Sequence, residues 1–208
     1  MLRTRRTDIC DARGLAAALL IAVGGQAAVA QDVLYTDTPP DDAIFVRSFI
    51  DTDKPRETTG LPAFAVDAIA GNGAAFSSLS AAEFGFSQAG GFYALLADAA
   101  GAVHLVPEPA RADRAKVYLT VLNASDADVR LVEPTQGLEV VAPTPPLSAA
   151  ARAVNPVDVR LAVESAATGE ALASFDLRLR RGQNVTFLVR GGQVELIEDA
   201  YGPVVSGN

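Results

Sequence analysis

A strict alternation of apolar and polar residues runs through the last third of the chain and limits what it can fold into. In "VDVRLAVE" (157–164) and "FDLRLRR" (175–181), every second residue is apolar, and most residues between them are charged. Successive side chains of a strand point to opposite faces, so the pattern predicts strands with one buried and one solvated face. Such strands are typical of antiparallel sheets that pack face to face.

Short strand-like segments also recur along the rest of the chain, between turn signals. "EFGFS" (83–87) and "GFYALLA" (91–97) are expected to form a hairpin, and Gly191-Gly192 a tight turn between two strands. "SAAARAVN" (148–155) is expected to be a loop or a single turn. The other predicted strands are "AIFVRSFI" (43–50), "FAVDAIA" (64–70), "AVHLV" (102–106), both halves of "AKVYLTVLNASDADVRLVEP" (115–134), "GLEVVAP" (137–143), "NVTFLVR" (184–190) and "QVELIED" (193–199).

This pattern predicts an all-β protein of two tandem small antiparallel β-sandwich domains, like carbohydrate-binding modules or immunoglobulin domains. "PEPARAD" (107–113) holds two prolines and mixed charges and indicates a linker. We therefore predict an amino-terminal domain over residues 31–107, a linker over 108–113 and a carboxy-terminal domain over 114–208.

Charge is spread unevenly over these halves. Residues 31–110 carry 3 basic and 11 acidic side chains, whereas residues 111–208 carry 10 and 12, and the whole chain has a net charge of −8. An acidic surface repels nucleic acid and anionic lipid, so neither is an expected partner.

The first thirty residues have the order of a secretory signal peptide. A basic segment precedes the apolar run "GLAAALLIAVGG" and the small residues "AVA" at 28–30, and the run is too short to cross a bilayer. We therefore expect residues 1–30 to be a cleaved signal peptide. The one cysteine, Cys10, lies inside it, so the exported chain would have no disulfide, thiolate metal site or cysteine nucleophile.

Candidate catalytic residues are few. His104 is the one histidine and could serve as the base of a serine acyltransferase, or it could be an ordinary strand residue. The string closest to a nucleophile elbow, "GFSQA" (85–89), lacks the final glycine. We therefore assign no catalytic residue.

Paired carboxylates offer little more. Asp41-Asp42 and Glu198-Asp199 lie beside turn or terminal signals, where acidic residues are usually solvated, and Lys54 and Pro55 interrupt the calcium-loop-like start at Asp51 and Asp53. The sequence indicates no metal and no cofactor.

Arginines occupy the polar side of the alternating strands. Arg160, Arg178 and Arg180 fall there, and Arg181 follows directly. If the two strands are neighbours, four guanidiniums share one face, where they could bind carboxylates of a uronic-acid polymer or of an acidic protein. Alternatively, they are the exterior of a sheet and pair with Asp158 and Asp176 across the strands.

Several strings resemble the AlgF family of periplasmic alginate O-acetylation proteins. In the second half these are "VNPVDVRLAVESAATGEALASFDLRLRRGQNVTFLV" (154–189), with its Asn155-Pro156-Val157 strand entry and Arg181-Gly182-Gln183 turn, and "VELIEDAYGP" (194–203). In the first half, "DAIFVRSFI" (42–50) and "LSAAEFGFSQAGGFYALL" (79–96) resemble the same family.

The resemblance implies a periplasmic accessory protein of two β-sandwiches, required for O-acetylation of alginate or a related exopolysaccharide. Its expected partners are a membrane O-acyltransferase and periplasmic transferases of the SGNH type, with an anionic polysaccharide as a further candidate. It implies no catalytic residue of its own. A polysaccharide O-acetyltransferase that uses His104 and a plain polysaccharide-binding module are the alternatives.

Overall fold

A computed structural model describes residues 38–50 and 60–206, which belong to one compact unit spanning residues 36–208. The predicted signal peptide (1–30), Cys10 and the Asp51/Asp53 segment lie outside the described residues. The elements are β1 Ala43–Ser48, α1 Ala63–Gly71, β2 Phe76–Ser80, β3 Phe92–Ala97, β4 Val103–Glu108, β5 Val117–Asn123, β6 Val129–Glu133, β7 Leu138–Thr144, β8 Ser148–Val154, β9 Asp158–Ser165, β10 Ala171–Arg178, β11 Asn184–Arg190, β12 Gln193–Glu198 and β13 Tyr201–Val204.

These strands form three sheets, and the predicted all-β sandwich class is confirmed. The first sheet has the order β13-β2-β1-β3-β4, the second β12-β11-β5-β8 and the third β10-β9-β6-β7. The third sheet is antiparallel throughout. The first and second sheets are mixed, because β1 runs parallel to β3 and β5 runs parallel to β11.

The second and third sheets pack face to face around a shared core. Val121 and Phe187 of the second sheet lie in one buried cluster with Leu131 and Leu161 of the third. The predicted faces of β9 and β10 are confirmed, since their apolar positions line this core and Asp158, Arg160, Asp176 and Arg178 are exposed. The predicted Gly191-Gly192 turn also joins β11 to β12, and both glycines have positive φ.

The other face of the second sheet packs against the first sheet. Leu122 and Leu188 share a buried cluster with Ala94, Leu96 and Val106. Residues next to each other in a strand face opposite sides, so β5 and β11 bury apolar side chains on both faces. The second sheet is therefore the middle layer of the described unit.

Helix α1 covers part of the first sheet's outer face, where residues 64–70 were expected to form a strand. That prediction is wrong. Ala65, Val66, Ile69 and Ala70 are buried at helical spacing, and Pro62 stands at the N-cap position, outside the helix interior in which a proline would remove a hydrogen bond. Alanine is the best helix former, so its frequency in this segment also favours a helix.

Two further predictions in the strand assignment are wrong. Residues 148–154 form β8, paired along β5 from Ser148–Asn123 to Val154–Val117, because sheet pairing outweighs the weak strand propensity of alanine. Residues 83–87 form turns instead of a hairpin strand, and β3 pairs with β4 instead. Strands β2 and β13 were not predicted.

The division into domains at residues 108–113 stays a prediction. β4 extends to Glu108, so the irregular part of "PEPARAD" begins at Pro109. The last strand, β13, pairs with β2 and thereby completes the first sheet from the far end of the chain.

A cluster of buried charges connects the first and second sheets. Arg47 of β1 is fully buried and donates to both carboxylate oxygens of Glu108, each at 2.7 Å. It also donates to Asp199 at 2.8 Å and to the Thr186 hydroxyl of β11 at 2.9 Å. Arg111 closes the cluster by contacting Glu108 at 2.8 Å and Asp199 at 2.9 Å.

The cluster is balanced in charge, with two guanidiniums and two carboxylates that are almost wholly buried. Burial of Arg111 works to lower its pKa, but the charges of Glu108 and Asp199 outweigh it, so the pKa of Arg111 lies above its ordinary value. Arg111 therefore remains charged and paired.

We expect Arg47→Met to lower the free energy of unfolding by about 3–5 kcal/mol, since it leaves two buried carboxylates short of a partner. Arg152→Met, at an exposed position on β8, is the matched control and should change it by less than about 0.5 kcal/mol. Urea denaturation measures both. Equal effects of the two variants would contradict a structural role for the cluster.

Candidate functional site

The four predicted arginines do not all lie at one place. β9 and β10 are neighbours, and Arg160 and Arg178 stand directly opposite Asp176 and Asp158. Each makes an ion pair of 3.8 Å with that aspartate, and all four side chains are more than half exposed. Exposed pairs of this length contribute little to stability, so these arginines are only weakly engaged.

Arg180 and Arg181 lie in the turn that follows β10. The backbone N–H of Arg180 donates to Oε1 of Gln183 at 3.0 Å, and the N–H of Gln183 donates to the Arg180 carbonyl at 3.1 Å. Gly182 has a φ of 78°, which a side chain at that position would strain. Within the described residues, neither guanidinium has an ion-pair partner.

Arg178, Arg180 and Arg181, here called the arginine corner, line one surface depression of about 520 Å³ together with Gln183 and Glu198. Arg160 does not line it. A smaller groove of about 260 Å³ adjoins the depression and has apolar walls from Leu177, Leu179, Val185 and Leu196. It lies between β10 and β12, which are edge strands of the third and second sheets.

This arrangement can bind a carboxylate next to an apolar group. Guanidiniums without a carboxylate partner can form bidentate hydrogen bonds to an incoming one. Apolar walls next to them would exclude water and strengthen that pairing. The structure thus brings Arg178, Arg180 and Arg181 together at the end of the third sheet.

One carboxylate of each predicted pair, Asp42 and Asp199, makes hydrogen bonds or ion pairs within the fold. Oδ2 of Asp42 accepts from the N–H of Ala82 at 2.8 Å and from the Ser80 hydroxyl at 2.9 Å, and these bonds hold the pKa of Asp42 below its ordinary value. Asp199 belongs to the buried charge cluster, so the expectation that the Glu198-Asp199 pair is simply solvated was wrong for Asp199. Its neighbour Glu198 is exposed.

His104 lies on β4 and pairs with a carboxylate that the sequence analysis did not assign to it. Its Nε2 lies 2.8 Å from Oδ2 of Asp98, which follows β3 in the β3–β4 hairpin. The hydrogen bond from His104 and those from the backbone N–H groups of Ala102 and Ala100 hold the pKa of Asp98 below its ordinary value. Within residues 38–50 and 60–206, no serine hydroxyl is hydrogen-bonded to the His104 ring.

The described part of the chain contains no group of three or more His, Cys, Asp or Glu side chains arranged to hold a metal ion. Its one helix, α1, has 9 residues, and none in this part is long and apolar enough to span a membrane.

The comparison with known proteins finds similarity to solved structures only. No known family profile matches the chain, and no curated protein matches it. Among solved structures, the C-terminal domain of AlgF from P. aeruginosa is 26% identical over 40% of this chain and 96% of that chain, with a TM-score of 0.33. The chain is thus similar to AlgF in part, over that domain.

We expect Asp98→Asn to lower the melting temperature at neutral pH. The variant loses the Asp98 carboxylate, which is hydrogen-bonded to His104 and to the backbone N–H groups of Ala100 and Ala102. The folded pKa of Asp98 is depressed, so its stabilising effect is complete above the unfolded pKa of about 3.9 and disappears as the pH falls through the folded value. The difference between wild type and variant should therefore shrink below about pH 4. Melting curves across pH measure it.

The control is Asp126→Asn, at an exposed turn position where the described structure gives the carboxylate no hydrogen bond. It should melt like the wild type at neutral pH. A difference for Asp98→Asn that stays constant down to strongly acidic pH would contradict a stabilising role for the ionised Asp98 carboxylate.

Proposed function

We propose that this protein is a non-catalytic accessory protein of exopolysaccharide O-acetylation, which acts by binding other components of the machinery. The AlgF-like strings in both halves support this proposal, as does the signal-peptide-like order of residues 1–30. By the same resemblance, the polymer is alginate or a related exopolysaccharide, and the protein works in the periplasm.

The structural observation that most supports the proposal is the arginine corner next to an apolar groove. Interfaces between proteins draw most of their affinity from a few anchors in desolvated pockets, and arginine is among the residues most enriched there. The corner offers three exposed guanidiniums, two of them without a carboxylate partner in the described chain, beside four apolar side chains. Its partner is an acidic surface of an O-acyltransferase or of an SGNH-type transferase.

A second candidate is an acetyltransferase that uses His104 as its base. The Asp98–His104 hydrogen bond favours it, because a carboxylate can orient a histidine for general base catalysis. The two candidates differ in the effect of His104→Ala. An accessory protein should keep its effect on acetylation when His104 is replaced, whereas an enzyme should lose it.

The first experiment deletes the gene from the bacterium that encodes it and measures acetyl groups on the exopolysaccharide by NMR. The acetyl content should fall strongly while polymer yield is kept, and the wild-type and His104→Ala chains should both restore it. Unchanged acetylation in the deletion strain would overturn the proposal. If the wild-type chain restores acetylation and a folded His104→Ala chain does not, the result would favour the enzyme.

The second experiment tests the arginine corner with Arg180→Glu/Arg181→Glu. This variant should bind the purified partner transferase at least about tenfold more weakly, because charge reversal places like charges opposite each other. Arg152→Glu/Arg190→Glu changes the charge equally at exposed sites outside the corner and should bind normally. Equal binding by the two variants would remove the corner from the proposal.

A further inference from the structure

The sheets of the described chain end in six edge strands, which are protected unequally. β4 and β13 border the first sheet, β8 and β12 the second, and β7 and β10 the third. An edge strand has backbone N–H and C=O groups without a ladder partner, and a proline hinders the addition of another strand there. β4, β7 and β13 each contain one, at Pro107, Pro143 and Pro203. β8, β10 and β12 contain none.

The edges without a proline differ in what lies next to them. β8 lies against β4 and β7, which both contain a proline. β10 and β12 are at the ends of their sheets opposite to β7 and β8, and they flank the apolar groove. The side of the sandwich that holds the groove is therefore the side on which neither edge strand contains a proline.

The backbone of β10 directs hydrogen-bonding groups to this side. The N–H of Leu179, directly after β10, donates to the carbonyl of Val157 at 3.0 Å, toward β9, and the register between β9 and β10 is regular up to that point from Ala173. In an antiparallel pair, successive residues direct their backbone groups alternately toward the neighbour and away from it. The backbone groups of Asp176 and Arg178 therefore point away from β9, to the open edge.

A further strand beside β10 would meet both parts of the candidate site. It would lie about 4.8 Å away and direct every second side chain to the same face. On the inner face, such a side chain would enter the groove next to Leu177, where Leu196 is still 38% exposed. The groove of about 260 Å³ is smaller than ordinary sites for a whole small ligand, which begin at about 300 Å³, so it suits part of a longer ligand.

We propose that an extended peptide segment of a protein partner adds as a strand beside β10, with an apolar side chain in the groove and a carboxylate at the arginine corner. The inference rests on the proposed function and adds how the corner holds its partner. Strand addition gains affinity from main-chain hydrogen bonds and specificity from pockets for alternate side chains. A free small anion would use the guanidiniums alone.

β10 suits this role better than β12, although both strands line the groove. Arg178 of β10 lines the groove and the depression and would attract a carboxylate. Glu198 of β12 lines the same two places and would repel one. The charges thus favour β10 as the strand beside which an acidic segment adds.

Capped synthetic peptides of about eight residues, an ordinary strand length, test the proposal. Two parent peptides alternate threonine and valine and carry a leucine and two aspartates at one end or at the other, which covers parallel and antiparallel addition. One of them should bind the purified chain in a fluorescence titration and slow the hydrogen exchange of the Asp176 and Arg178 amides. Asparagines in place of the aspartates should weaken binding at least about tenfold. No binding by either parent, or binding without slower exchange at those amides, would overturn the proposal.

Methylation of backbone nitrogens in the peptide separates strand addition from attraction between charges. Alternate residues of a strand direct their N–H groups to opposite edges, so one set of nitrogens would face β10 and the other set would face away. Of two peptides methylated on one set each, one should bind like its parent and the other at least about tenfold more weakly. If both bind equally, the ligand does not add as a strand.

Asp176→Pro tests the position of the added strand. It removes an N–H that points to the open edge, as the native prolines of the other edge strands do, and should weaken peptide binding at least about tenfold. Asp176→Ala removes the same carboxylate, keeps the N–H and should bind like the wild type. Equal binding by the two folded variants would overturn the assignment to β10. If Asp176→Pro does not fold, the methylated peptides decide.

The result is distinguishable from that of the proposed function. Charge reversal at Arg180 and Arg181 weakens binding of the transferase whether the corner meets a folded acidic surface or an extended segment. If that variant loses the transferase while the peptides fail, the proposed function stands and strand addition is wrong. If the peptides bind beside β10 while deletion of the gene leaves acetylation unchanged, the proposed function is wrong and the peptide site stands.

Discussion

The buried ion cluster around Arg47 is the constraint on which the arrangement of the sheets depends. A fully buried, charged arginine is tolerated only when the N–H groups of its guanidinium are paired. Taking the charge out of water costs several kcal/mol, about 10 or less, even after the protein has relaxed around it. Its partners come from β4, β11 and the segment before β13. The cluster is therefore complete only when the first and second sheets are docked and the end of the chain has returned to the first sheet.

Much of the second and third sheets could be predicted from the sequence because alternation survives wherever one face of a strand is solvated. β9 and β10 show this pattern directly, and Gly191-Gly192 marks the β11–β12 turn. Two of the wrong assignments have different physical causes. Residues 63–71 form a helix over the first sheet, and the alanines of β8 gain their strand conformation from pairing with β5. The pairing of β8 is not local and is therefore invisible within its own segment, whereas the helical spacing of Ala65, Val66, Ile69 and Ala70 was present in the sequence and was misread as a strand.

The candidate site follows the same division. The alternating pattern correctly predicted that Arg160 and Arg178 lie on the polar face. If the two strands are neighbours, as they are, the same pattern predicts the aspartates opposite these arginines. Arg47 and Asp199 were missed, although the sequence holds one signal for Arg47. It is a single charge inside "AIFVRSFI", and a charge in a strand buried on both faces requires a buried partner. The identity of that partner could not be predicted, because Glu108 and Asp199 lie 61 and 152 residues away.

The ion cluster also determines where the protein can attract anions. Arg47 and Arg111 are paired with Glu108 and Asp199, so neither guanidinium is free to bind an anion. The guanidiniums of the arginine corner without an ion-pair partner in the described part of the chain come instead from the turn after β10. In a chain of net charge −8, long-range attraction for an anion is absent, and recognition must occur at contact distance. An anionic partner would therefore be selected by fit at the arginine corner more than by electrostatic steering toward the protein.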